Sequence, residues 1–94
     1  MHATIRQYSG TGAEELFDAL EQREPEVREL ISGVPGFVSY IAFRSGEGGT
    51  TVTICEDEAG TDESTRRAAA WVAENIPVSI GAPSVTQGDA SLQF

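Results

Sequence analysis

Residues 37–58 read FVSYIAFRS, GEGG and TTVTICEDE in succession. The two outer runs are rich in β-branched and aromatic side chains, which favour strands. The glycine-rich run between them can adopt the positive φ angles of a tight turn. This pattern predicts an antiparallel hairpin of two strands, over residues 37–45 and 50–57.

Helical patterns flank the hairpin on both sides. Upstream, apolar residues recur at helical spacing after a predicted capping box formed by Thr11 and Glu14. Pro25 lies inside that pattern and predicts a kink or a break, because it lacks the backbone N–H and crowds the preceding turn. Downstream, a second helix is predicted to begin at Thr61 or Asp62.

Short alternating runs at residues 3–8 and 84–92 predict one further strand at each end of the sequence, so the order is β-α-β-β-α-β. Two βαβ units that share a central hairpin form the ferredoxin-like α+β fold. Its sheet has four antiparallel strands, and both helices lie on one face. We therefore predict a single domain over residues 1–94.

The charge of the chain is strongly acidic. Its 94 residues include 15 acidic and six basic side chains, all six of them arginine, for a formal net charge of −9. Such a surface repels phosphate backbones and anionic lipids, so we expect neither nucleic acid nor a membrane as a partner. Residues 1–10 lack the apolar core of a secretory signal, which predicts a cytoplasmic location.

The strand at residues 37–45 is apolar on both faces. By alternation, one face carries Phe37, Ile41 and Phe43, and the other carries Val38 and Tyr40. The helices can cover only one face of the sheet, so the second face needs another cover. The sheet of a second copy is the simplest cover, and it predicts a homodimer in which two sheets pack face to face as an α/β barrel.

Three features mark the positions of these elements. Pro35-Gly36-Phe37 leads into the hairpin, Glu56-Asp57 ends it, and Trp71 lies on the second helix. With them, nearly the whole chain resembles the dimeric α/β-barrel superfamily, and most nearly its small antibiotic-biosynthesis-monooxygenase-like (ABM-like) domains. The resemblance implies a homodimer with a pocket between sheet and helices in each subunit. Members include cofactor-independent monooxygenases acting on phenolic or quinol compounds, haem-degrading enzymes and proteins of unknown function. Such likeness does not by itself carry an activity.

The haem-degrading branch implies a histidine on the second helix as iron ligand and an asparagine on the first strand. The sequence has neither, because its only histidine is His2 and residues 3–8 contain no asparagine. We therefore expect no haem and no other cofactor. We also expect no metal site, since one histidine and the single cysteine, Cys55, do not form a ligand cluster.

Four residues are candidates for lining a ligand pocket: Trp71, Tyr40, Arg6 and Tyr8. Trp71 can stack on a planar ligand or anchor the helix on the sheet. Tyr40, expected on the barrel side, can orient a substrate hydroxyl or act as a proton donor. Alternatively, it is a half-buried interface tyrosine whose hydroxyl only finds a hydrogen-bond partner there. Arg6 shares a strand face with Tyr8 and can bind a carboxylate or phenolate. An ion pair with an acid, either of the same chain or of a second subunit, is the simpler expectation. The sequence assigns no catalytic residue.

Three other polar or reactive side chains have structural explanations. We expect His2 to be solvated at the N-terminus. We expect Cys55 to be a buried small hydrophobe, because the only base that could activate it, His2, is remote in sequence. Arg44 is expected to pair with Glu56 or Glu58 across the hairpin.

The sequence leaves two functions open. The first is a pocket that binds a planar phenolic or quinol compound and supports cofactor-free oxygenation, in which the substrate forms its own carbanion and the protein supplies desolvation and a few donors. The second is a non-catalytic homodimeric ligand-binding or accessory domain, which the lack of a clustered acid–base pair favours. A cavity of roughly 300 Å³ or more reached by Trp71, Tyr40 or Arg6 favours the first. A pocket filled by Trp71, Phe17 and Leu20 would rule out the first.

Overall fold

The computed structural model describes residues 1–77 and 79–94. Within them lie four strands, β1 (His2–Tyr8), β2 (Phe37–Ser45), β3 (Gly48–Cys55) and β4 (Ser84–Asp89), and three helices, α1 (Ala13–Gln22), α2 (Glu24–Ser32) and α3 (Glu58–Asn75). The strands form one antiparallel sheet in the order β2-β3-β1-β4, and the helices pack on one of its faces. This is the predicted ferredoxin-like α+β fold. None of the helices in the described residues has the length and apolar character needed to span a membrane.

Pro25 breaks the predicted first helix into two. α1 ends where the Arg23 N–H donates to the carbonyl of Ala19 at 2.9 Å, and α2 begins as the amide of Val27 donates to the carbonyl of Arg23 at 3.1 Å. Pro25 lies in the first turn of α2, where its missing N–H would have no partner within the helix. Of the two predicted outcomes, a kink or a break, the structure has the break.

The start of α1 differs from the prediction. The residue before the helix is Gly12, with φ of 87°, and no side chain caps the helix there. The predicted capping box of Thr11 and Glu14 is therefore wrong. A glycine reaches this left-handed conformation without the Cβ clash that other residues meet, so the backbone itself turns the chain into the helix.

α3 begins at Glu58, earlier than the predicted positions 61 or 62. The Asp57 side chain caps it by accepting a hydrogen bond from the Gly60 N–H at 3.2 Å. Gly60 lies inside the first turn of α3. A Cβ there would lie 2.4 Å from the carbonyl oxygen of Pro35 and 2.8 Å from Cβ of Cys55, so this glycine allows close packing of α3 on the sheet.

A β-bulge at the start of β2 changes which residues face the helices. The register with β3 shifts between Phe37 and Ser39, so Phe37 pairs with Cys55 and Tyr40 pairs with Thr53. Both Phe37 and Tyr40 pack against the core beneath the helices. The prediction that Tyr40 faces the barrel side is wrong, because simple alternation slips by one residue at a bulge.

The sheet face opposite the helices, here called the bare face, carries a continuous apolar row. Ile41, Val52 and Ile5 are direct neighbours across β2, β3 and β1, and Phe43 lies beside Ile41 on the same face. Ile41 is 58% exposed and Phe43 is 49% exposed. An uncovered apolar face thus exists as predicted, but its β2 residues, Ile41 and Phe43, are ones that were predicted to face the helices.

The core lies between the helices and the other sheet face. Its buried apolar side chains include Leu16, Phe17, Val27, Ile31 and Trp71. The hairpin approaches α1 so closely that a Cβ on Gly49 would lie 2.5 Å from Cζ of Phe17. The sheet side of this layer is polar, and it holds the candidate site.

Candidate functional site

The structure brings the four predicted pocket residues together. Arg6, Tyr8, Tyr40 and Trp71 all line one small void of about 20 Å³ between the sheet and the helices. Apolar side chains fill the rest of this space, among them Leu16, Leu20, Val27, Ile31 and Val72. The centre of the subunit is therefore packed and does not itself hold a ligand-sized cavity.

Two open grooves flank the packed centre. The α3–β4 groove, of about 550 Å³, lies between α3, residues 79–83 and β4, and its lining includes Arg6, Tyr8, Val72, Ile76, Ile80 and Val85. The α1–β2 groove, of about 690 Å³, lies between α1, α2 and β2, and its lining includes Phe17, Leu20, Ile31, Phe37, Tyr40 and Phe43. Both have the size of a small-molecule site. Arg6 and Tyr8 reach the first and Tyr40 reaches the second, whereas Trp71 lines neither.

Arg6 is the most deeply buried charged side chain of the site, at 1% exposure. Its guanidinium donates to four hydroxyls: from Nε to Thr51 Oγ1 at 3.2 Å, from Nη2 to Thr53 Oγ1 at 2.9 Å, and from Nη1 to Thr65 Oγ1 at 2.9 Å and Ser64 Oγ at 3.3 Å. Two acceptors belong to β3 and two to α3, so the side chain joins sheet to helix. We call these four residues the hydroxyl cage.

The intrachain form of the ion pair expected for Arg6 is absent from the described residues. The other five arginines each pair with a carboxylate, whereas no carboxylate among residues 1–77 and 79–94 pairs with Arg6. The hydroxyl cage satisfies hydrogen bonds of the guanidinium without neutralising its charge. Arg6 is thus a buried cation with no counter-ion in the described chain.

The two tyrosines beside Arg6 are uncharged at neutral pH. Burial raises the pKa of Tyr8, and the positive charge of Arg6 opposes this only in part. Burial raises the pKa of Tyr40 to about 12, again against the opposing effect of Arg6. Tyr8 also packs edge-on against Phe17, with ring centroids 6.2 Å apart. The tyrosines can donate or accept hydrogen bonds, but they cannot supply the missing negative charge.

Trp71 is fixed between α2 and α3. Its indole N–H donates to Glu26 Oε1 at 2.8 Å, and the guanidinium of Arg23 lies 5.4 Å from its ring centroid. The hydrogen bonds from Trp71 and Arg23 lower the pKa of the Glu26 carboxyl. Glu26 contacts the edge of the indole and Arg23 lies over its face, so Trp71 anchors α3 to α2.

His2 and Cys55 are direct neighbours across β1 and β3. His2 is buried, with Nδ1 2.8 Å from Thr61 Oγ1 and Nε2 4.0 Å from Glu58 Oε2, so the expectation that it is solvated is wrong. Cys55 is buried as predicted, and burial raises the pKa of its thiol, which disfavours the reactive thiolate. Neither residue lines either groove.

Arg44 does not pair with Glu56 or Glu58, as was predicted. Its Nε donates to Glu21 Oε2 and its Nη2 to Asp18 Oδ1, each at 2.7 Å. Because Arg44 faces the helices, it reaches α1 instead of the following strand. The charges on the rim of the α1–β2 groove are thereby paired within the subunit.

The hydroxyl cage is the part of the site that the sequence analysis missed. Thr51 and Thr53 alternate within TTVT, so they share a face of β3, and the register places them beside Arg6. The same face holds a second polar group without a charged partner. Thr4 Oγ1 is buried and has no hydrogen-bond partner among the described residues. Across the same described residues, no group of three or more His, Cys, Asp or Glu side chains is arranged to hold a metal ion.

No protein-family model matches the sequence, and no curated protein matches it. Solved structures do match. SnoaB, a cofactor-independent oxygenase from Streptomyces nogalater, is 14% identical over 99% of this chain and 95% of its own, with a TM-score of 0.66. The monooxygenase ActVA-Orf6 of Streptomyces coelicolor, solved with nanaomycin D, is 21% identical over 99% and 89%, with a TM-score of 0.67. The heme-degrader MhuD of Mycobacterium tuberculosis, solved with two hemes in its active site, is 19% identical over 100% and 99%, with a TM-score of 0.67.

The chain has the fold of the small ABM-like domains. The predicted resemblance is thereby confirmed for the fold. At these identities the likeness concerns architecture, and any activity has to be argued from the site itself.

Proposed function

We propose that this ABM-like protein binds a planar phenolic or quinol compound in the α3–β4 groove and oxygenates it without a cofactor. The observation that carries the proposal is an apolar groove of about 550 Å³ whose lining includes a buried, unpaired cation, Arg6, beside the Tyr8 phenol. Apolar walls suit an aromatic ring system, and a few polar groups at one end fix its orientation. Two proteins that share the fold, SnoaB and ActVA-Orf6, are oxygenases.

The α1–β2 groove is larger but a weaker candidate. Its rim arginines already have partners, since Arg44 pairs with Asp18 and Glu21, and Arg28 pairs with Glu24. In the α3–β4 groove, by contrast, the one cation has no counter-ion in the described chain, so a ligand gains more by meeting it.

The chemistry requires little of the protein. One atom of O₂ enters the substrate and the other leaves as water, and the substrate supplies all the electrons. A substrate that readily forms a carbanion needs a dry site and a few donors, because these stabilise its developing negative charge. Arg6 and Tyr8 are the donors that the groove offers.

The proposal includes a homodimer formed through the bare face. Its support is the exposed apolar row that contains Ile5, Ile41 and Phe43, a surface that monomeric soluble proteins seldom leave open to water. Two such faces packed together would bury these side chains and close the barrel that the resemblance of the sequence implies. Trp71 is proposed to support the site as an anchor and Tyr40 to line the second groove.

The test is binding and turnover of 1,8-dihydroxyanthrone by the purified protein. Binding is followed by the fluorescence of Trp71, the single tryptophan, and turnover by oxygen uptake and quinone absorbance. Ala69→Phe fills the groove and is expected to abolish both signals. Ala70→Phe, at the next position of α3 and outside both grooves, is the matched control and is expected to leave both unchanged. Haem is included in the panel, and we expect it not to bind.

The second candidate is a non-catalytic binding domain. Its support is that no carboxylate or imidazole among the described residues lines the α3–β4 groove, so no general base is at hand. Binding of the anthrone without oxygen uptake above the rate without protein would favour this candidate. The absence of binding by any phenol or quinol tested would overturn both.

A further inference from the structure

The charge of Arg6 is the least compensated feature of the molecule. A buried charge ordinarily has an opposite charge beside it, because moving an ion out of water is costly. Here the guanidinium has only neutral hydroxyl acceptors on β3 and α3. Tyr8 and Tyr40 do not replace a counter-ion, since burial keeps both phenols protonated.

The hydroxyl cage does hold the guanidinium in a fixed orientation. Hydrogen bonds run from its Nε and Nη2 to the strand and from its Nη1 to the helix. Thr65, one of the cage acceptors, also lines the α3–β4 groove, as Arg6 itself does. The cage therefore fixes the positive charge of Arg6 at the wall of the α3–β4 groove.

We propose that the ligand of the α3–β4 groove binds as an anion, with a negatively charged oxygen, such as a phenolate, pairing with Arg6. The inference rests on the proposed function and specifies the chemical state of its ligand. An acidic phenol loses its proton to the solvent on binding, and its oxygen becomes the counter-ion that the chain lacks. In the dry groove such a charge-assisted contact is stronger than a neutral hydrogen bond.

The net charge of −9 makes this preference informative. The acidic surface repels anions at long range, so a general attraction of the protein for anions cannot produce it. The surface charges are screened within about 8 Å at physiological salt, whereas a buried pair is screened much less. An anion preference that persists in salt therefore points to a buried cation.

The test uses alizarin, a planar three-ring phenol that is yellow when neutral and red as its monoanion. Titrated into the wild-type protein at a pH below its own pKa, alizarin is expected to turn red on binding. Its dimethyl ether, which cannot ionise, is expected to bind about tenfold to a hundredfold more weakly. This comparison needs no variant, so it stands even if a substitution at Arg6 prevents folding.

Variants then locate the charge. Arg6→Met is expected to remove the preference for alizarin over its ether, and Arg6→Lys to retain part of it. Arg66→Met, which removes an exposed arginine that pairs with Glu63, is the matched control and is expected to change neither affinity.

The outcomes separate the two proposals. If alizarin and its ether bind equally, and bound alizarin stays yellow, the anion inference is overturned while binding of phenols stands. If Arg6→Met folds and keeps the full preference, the assignment to Arg6 is wrong. If neither compound binds, both the proposed function and the anion inference are overturned.

Discussion

The two faces of the sheet are built in the reverse of the usual way. The face beneath the helices is lined by buried polar side chains: Thr4, Arg6, Thr51 and Thr53. The face without helices is lined by partly or largely exposed apolar ones: Ile5, Ile41, Phe43 and Val52. A sheet with one solvated face ordinarily keeps its apolar side chains inside and its polar ones outside.

Each departure is costly for an isolated subunit. A buried cation without a counter-ion lacks the Coulomb energy that offsets its desolvation, and an exposed apolar face forgoes the free energy of burial. The proposed anionic ligand would offset the first cost, and the proposed second copy would offset the second. The two faces can be tested separately, because a change on one leaves the contacts of the other in place.

The largest effect is expected on the bare face. Ile41→Glu places a charge in the proposed dimer interface, and a two-fold interface contains that site twice. Losing the burial of two isoleucines costs roughly 3–6 kcal/mol, which weakens dimerisation by about two to four orders of magnitude. Sedimentation at micromolar concentration measures the mass. Ala70→Glu, an exposed position on α3, is the control and keeps the dimer.

A wild-type chain that sediments as a monomer would contradict the proposed dimer directly. A dimer that survives Ile41→Glu would mean that the subunits meet through some other surface. Neither result would bear on the proposed binding of an anion at Arg6, which lies on the opposite face of the sheet.

An added methyl group is expected to be poorly tolerated in the packed layer at Gly49 and well tolerated at the open position Gly88. A Cβ on Gly49 would lie 2.5 Å from Cζ of Phe17 and equally close to the carbonyl oxygen of Phe43, whereas a Cβ on Gly88 meets nothing within 4 Å. Gly49→Ala is expected to lower the free energy of unfolding by about 3 kcal/mol, as overpacking does. Gly88→Ala is expected to change it little or to raise it slightly. Denaturant unfolding of both variants checks the contrast, and equal losses would contradict it.

The sequence predicted the order of elements because periodicity and turn residues are local properties. It failed where geometry depends on contacts between distant segments. The bulge after Phe37 moved Tyr40 from the predicted barrel side to the helix side of the sheet. No residue type in FVSYIAFRS predicts this bulge. The start of α1 was misplaced because the backbone of Gly12 took the position assigned to a Thr11 cap.

The site was predicted to a similar extent. Alternation correctly put Arg6 and Tyr8 on one face of β1, and all four candidate residues do meet around one void. Whether Arg6 has an acid beside it depends on where fifteen carboxylates lie in three dimensions, which alternation cannot give. In the same way, pairing of His2 with Cys55 follows from the strand register, so their separation in sequence was no guide.

The tyrosines of the covered face predict a loss of stability in alkali. The pKa of Tyr40 is raised from 10.0 to about 12, so above pH 10 the unfolded chain gives up this proton more readily than the folded one. The stabilisation present below pH 10 is therefore lost progressively as the pH rises to about 12, by up to roughly 3 kcal/mol. Denaturant unfolding across this range measures the slope. Tyr40→Phe is expected to flatten it, and an unchanged slope in that variant would rule out Tyr40 as its source.

The smallest change in the free energy of unfolding is expected at Arg6, and it is a gain where the other changes are losses. Arg6→Met removes a buried charge and keeps an apolar side chain of similar length, and such replacements of buried ionic groups are often neutral or stabilising. At Ser64 the loss is limited, because its hydroxyl already donates to the carbonyl oxygen of Thr61 at 2.7 Å. We expect a net gain of about 1 kcal/mol, which raises Tm by roughly 4–8 °C in a domain of this size.

Thermal unfolding without ligand measures the change at Arg6, with Arg66→Met as the exposed control that moves Tm little. A loss of about 2 kcal/mol or more in Arg6→Met would mean that the arginine is a structural bridge between sheet and helix. A gain in stability together with a loss of alizarin binding would mean the reverse: the chain keeps an unfavourable charge under its helices because a ligand uses it. Only that combination separates a residue kept for binding from one kept for the fold, since either measurement alone fits both roles.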